Sequence, residues 1–72
     1  MTTEEIVRLA AHHVNRAFDG LHTEHTYSAL TCLSDAQYAL RHGNDAAARL
    51  RAIKSLAYSV GIYHEDYARA IE

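Results

Sequence analysis

Histidine is the residue type whose number and spacing could do chemistry in this chain, with six copies among 72 residues. His22 and His25 are three positions apart, and antiparallel folding of the later helices would bring His64 to the same end. Imidazoles at this helical spacing can share Zn²⁺ or Ni²⁺. The spacing matches no established metal motif such as His-Glu-x-x-His. These three residues are therefore metal candidates, with solvated or capping histidines as the alternative, and no cofactor is predicted.

One local group of basic residues could bind an anion. Arg49, Arg51 and Lys54 lie close together and are followed by Tyr58. They could hold a small anionic ligand such as a nucleotide at a subunit interface, and a solvated helix face is the alternative. The formal net charge is −2, from seven Lys and Arg against nine Asp and Glu. Because nucleic-acid binders depend on basic surfaces, this balance argues against nucleic-acid binding.

The nucleophilic side chains stand in positions that do not favour catalysis. Cys32 lies mid-helix beside Leu33, which is typical of a small buried hydrophobic residue. Four serines fall inside predicted helices and not on the sharp turns that expose a nucleophile, namely Ser28, Ser34, Ser55 and Ser59. The three glycines are isolated, so the chain carries no glycine-rich phosphate loop. The sequence therefore predicts no enzymatic activity.

The elements that would position these residues are all helical. The 72-residue length and 8.1 kDa mass limit the chain to one domain, residues 1–72. Thr2 and Glu5 form the capping-box pattern of a helix start. Gly43 and Asn44 form a stop-and-start signal between two further helices. The predicted helices cover about 3–19, 24–42 and 45–71.

Apolar periodicity pairs the second and third helices. The third helix carries apolar positions at steps of three and four, namely Leu50, Ile53, Ala57, Val60, His64, Tyr67 and Ile71. The second helix carries the line Leu30, Leu33, Ala36 and Leu40. The two-residue connection predicts an antiparallel hairpin. The shorter amino-terminal helix is expected to fold across this hairpin or across that of a second subunit. The predicted fold class is all-α, a small bundle completed by self-association.

The prediction of self-association rests on aromatic side chains that the small core of a single chain would leave exposed. A core of this size supplies only roughly 3–5 kcal/mol, and a single cysteine cannot form an intrachain disulfide. Tyr27 and Tyr38 are eleven positions apart and share one side of the second helix. Tyrosine suits interfaces because it joins a large apolar body to a polar tip. The interface candidates are Tyr27, Tyr38, Leu56, Tyr58, Tyr63 and Tyr67.

These observations favour a small, non-enzymatic protein–protein interaction module. We expect a homo-oligomer that serves as a regulator, adaptor or phage- or mobile-element-type inhibitor by occupying the surface of another protein. The alternative is an oligomeric binder of a small anionic ligand or a metal ion at a subunit interface. No stretch approaches the roughly 20 apolar residues of a membrane span. The acidic amino terminus lacks a signal-peptide profile, so the predicted location is cytoplasmic.

Overall fold

The computed structural model describes residues 1–20 and 24–59, and these form three helices. Helix α1 spans Thr3–Asp19, α2 spans Glu24–Arg41 and α3 spans Asp45–Ser59. The part of the chain that the structure describes contains no strand, which confirms the all-α class. The predicted extension of the third helix to residue 71 lies outside the described residues, and so does Gly61, for which the sequence left a kink or a break open.

Helix α1 begins at a complete capping box. The Thr2 hydroxyl accepts a hydrogen bond from the Glu5 amide at 3.2 Å, and a Glu5 carboxylate oxygen accepts one from the Thr2 amide at 3.0 Å. The bond that the Glu5 carboxylate accepts from the Thr2 amide favours its ionised form, so the pKa of Glu5 lies below its usual value. The box satisfies amide groups that have no partner inside the helix, as the sequence predicts.

The turn between α2 and α3 reverses the chain within a few residues. Gly43 adopts a positive φ of 76°, which glycine reaches without a steric penalty. The Gly43 amide donates to the Leu40 carbonyl at 3.2 Å, and the Asn44 amide donates to the Ala39 carbonyl at 2.9 Å. This pair of bonds is a Schellman ending. The Asn44 side chain then accepts from the Ala47 amide at 3.3 Å and caps α3, as the sequence predicts.

Helices α2 and α3 form the predicted antiparallel hairpin, and α1 packs against both. Small residues line the contact between them: Ala29 and Ser55 are both fully buried. The Ser55 hydroxyl donates to the Ala29 carbonyl at 2.7 Å, a bond that requires the two helices to approach closely. The core consists of buried residues from all three helices, namely Ile6, Val7, Ala10, Val14, Ala29, Leu33, Ala36, Ala52, Ile53 and Leu56.

Two leucines that the sequence assigned to the hairpin contact lie on the surface instead. Leu50 is 51% exposed and Leu30 is 39% exposed, so both assignments were wrong. The buried side of α3 includes Ala48 and Ala52, and in a helix Leu50 lies about 160° from Ala48. Hydrophobicity alone favoured the leucines, whereas close helix packing uses the smaller side chains. Among the other predicted contact positions that the structure describes, Leu40 is partly buried and four are buried, namely Leu33, Ala36, Ile53 and Ala57.

Candidate interaction surface

The outer side of α2 exposes two large aromatic residues. Tyr27 is 56% exposed and Tyr38 is 65% exposed, and Thr31 and Ser34 between them are exposed as well. Helix geometry places these four positions within about 60° of one another around the helix axis. We call these four residues, with Leu30 at their edge, the tyrosine face. The prediction that Tyr27 and Tyr38 share one side of α2 is therefore consistent with their positions on this helix.

Neighbouring rings hold both tyrosines in place. The Phe18 ring meets the Tyr27 ring edge-on, with centroids 5.6 Å apart. The His42 ring contacts the Tyr38 ring at a centroid distance of 4.1 Å. Between them, the Thr31 hydroxyl donates to the Tyr27 carbonyl at 3.1 Å, so its hydrogen bond is made within α2. When a partner covers this surface, the two tyrosines would lose little side-chain freedom, and the Thr31 hydroxyl would keep its hydrogen bond.

Two other interface candidates lie in different surroundings. Leu56 is 0% exposed and is among the largest fully buried side chains, so its role is to fill the core of the single chain. Its assignment to an intermolecular interface is thereby corrected. Tyr58 is half-buried at the edge of the core, and its ring stacks on the His25 ring with centroids 5.8 Å apart. The candidates Tyr63 and Tyr67 lie outside the described residues.

The proposed anion-binding residues divide between two sides of α3. The Arg49 guanidinium donates to the Met1 carbonyl at 2.9 Å, which directs it toward the start of α1. Arg51 and Lys54 are exposed. They share a side of the helix with Tyr58, because the three positions follow at steps of three and four. The structure therefore groups three of the four candidates and separates Arg49 from them.

Cys32 lies close enough to Arg51 and Lys54 for their charges to act on its thiol. Its side chain is 9% exposed, and burial raises the pKa of its thiol above the ordinary value. The positive charges of Arg51 and Lys54 lower that pKa and the Asp35 carboxylate raises it, but burial has the largest effect. The thiol is therefore protonated near neutral pH, which agrees with the expected small buried hydrophobic residue.

The metal candidates include one described residue. His25 is exposed and its ring is stacked on Tyr58, whereas His22 and His64 lie outside the described residues. Within residues 1–20 and 24–59, no three His, Cys, Asp or Glu side chains are grouped closely enough to hold a metal ion. Of the three metal candidates, the structure therefore describes the position of one, His25.

The sequence did not reveal the role of one buried serine, and a half-buried histidine has neighbours that change its pKa. Ser55 is fully buried and bonded across the hairpin, although the sequence suggested only a helix-interior serine. His13 is half-buried beside the exposed His12, with ring centroids 5.4 Å apart. Burial, followed by the charges of His12 and Arg16, lowers the pKa of His13. Ser55 follows Ala48 and Ala52 at steps of four and three, and this line of small residues was the signal that could have located it.

Comparisons with known proteins assign neither a family nor a function to the chain. No protein-family model, curated protein or solved structure matches the chain. Among the helices that the structure describes, none has the length and apolar character needed to cross a membrane.

Proposed function

We propose that this chain is a non-enzymatic protein-interaction module whose docking surface is the tyrosine face of α2. In this role it acts as a regulator, adaptor or inhibitor by occupying the surface of a protein partner. The observation that carries the proposal is the exposure of Tyr27 and Tyr38, at 56% and 65%, on the same side of one helix. The cytoplasmic location stays a prediction.

The chemistry of the tyrosine face supports a protein as its ligand. Tyrosine is enriched among the residues that contribute most to protein interfaces, because its ring buries a large area and its hydroxyl can still bond. Asp35 is the only acidic or basic residue between positions 25 and 40. A surface with few charges costs less to desolvate and suits a partner face of mixed apolar and hydroxyl character.

The use of the hydroxyl and thiol groups supports a non-enzymatic role. The Ser55 hydroxyl donates to the Ala29 carbonyl, and the Ser59 hydroxyl donates to the Leu56 carbonyl at 3.2 Å. Cys32 is held as a thiol by burial. A nucleophilic mechanism needs such a group beside a base that removes its proton. The proposal therefore assigns these three side chains to packing.

Photocrosslinking in the cells that produce the protein tests the proposal. Tyr38 is replaced by the photoreactive residue p-benzoylphenylalanine, which resembles tyrosine in shape. Ala46, an exposed residue of α3, receives the same replacement as the control. We expect a defined covalent adduct with a protein from position 38 and not from position 46. If position 38 gives no adduct above the control, the tyrosine face is not a docking surface and the proposal fails.

Arg51, Lys54 and Tyr58 support a second candidate function, the binding of a small anion at a subunit interface. Two exposed cations and a half-buried tyrosine share one side of α3. Because His25 already stacks on the Tyr58 ring, the cations rather than the ring would hold the ligand. Binding of ATP should then weaken about tenfold or more in Arg51→Ala/Lys54→Ala, since charge-assisted contacts contribute about 1.5–3 kcal/mol each. Equal ATP binding by the variant and the natural chain would rule this candidate out.

A further inference from the structure

We draw no further inference here: the strongest candidate, the exposed tyrosine face of α2, carries nothing beyond the docking role already proposed, because nothing in the structure shows what covers it.

Discussion

The two sides of α2 differ in how they use their large side chains. The inner side buries Leu33 between Ala29 and Ala36, both 0% exposed, whereas the outer side presents Tyr27 and Tyr38, each more than half exposed. A helix of a single folded chain usually turns its largest apolar residues inward. Here small inner residues permit the close contact with α3 that the Ser55 to Ala29 bond requires. The described part of the chain leaves these large residues exposed.

The largest expected loss of stability comes from shortening a leucine of α3 that fills the core. Leu56→Ala should lower the free energy of unfolding by about 2–5 kcal/mol, because it removes a fully buried side chain and leaves a cavity. Leu50→Ala is the matched control, and with 51% of Leu50 exposed it should cost under about 1 kcal/mol. Urea unfolding followed by circular dichroism measures both. Equal losses would show that the burial of α3 has been assigned to the wrong side.

Enlarging the inner side of α2 should cost less than that cavity. Ala36→Leu places a larger side chain at a fully buried position and should lower stability by about 1–3 kcal/mol through overpacking. The same exchange at exposed Ala46 should change stability by no more than about 0.5 kcal/mol. The urea midpoints of the two variants give the comparison. A tolerated leucine at position 36 would mean that α2 and α3 are not in close contact.

A smaller effect should come from the turn that brings the inner side of α2 against α3. Gly43→Ala forces a side chain into a positive φ of 76° and should cost about 1 kcal/mol, although its Cβ would meet no atom within 4 Å. Gly20 has φ −108°, and an added Cβ would lie 3.7 Å from the Arg16 carbonyl oxygen, an ordinary contact. Gly20→Ala should therefore be neutral or stabilising. Thermal unfolding of the two variants would contradict this account if their order were reversed.

The smallest predicted effect is the contribution of His13, in α1, to the pH dependence of stability. Burial lowers the pKa of His13 below 6.5 in the fold, so below that pH the unfolded chain binds more protons than the folded chain. The stability that neutral His13 contributes is complete above pH 6.5 and is lost as the pH falls toward the folded pKa. His13→Gln should flatten this part of the stability curve. Urea midpoints at about pH 7.5 and pH 5 measure it. An unchanged pH dependence in the variant would refute the assignment to His13.

Residues close to one another in sequence were enough to predict the three helices, the start of α1 and the turn between α2 and α3. The capping box at Thr2 and Glu5 and the Gly43-Asn44 turn each depend on residues close in sequence, and both are present. The rotation of α2 and α3 about their axes depends on packing between distant residues. Either leucine or alanine could fill that contact. Hydrophobicity alone favoured Leu30, and this was wrong because the helices approach through small side chains.

The relative positions of the candidate residues could be predicted only where they depend on a single helix. The eleven-residue spacing of Tyr27 and Tyr38 was enough to place them on one side of α2, because it depends only on helix geometry. Arg49 and Arg51 are two positions apart and therefore lie on opposite sides of α3, which the same geometry could have shown. Leu56 needed the tertiary structure, since its burial depends on α1 and α2 together.

The dependence of thermal stability on protein concentration tests the central claim most directly, namely that the outer tyrosines of α2 serve association and not the fold of the single chain. The natural chain should unfold at a higher temperature as its concentration rises, because only the folded form associates. Tyr38→Ala should lose this dependence and match the natural chain at low concentration, because 65% of the tyrosine is exposed. An equal loss of stability in the variant at every concentration would contradict the account.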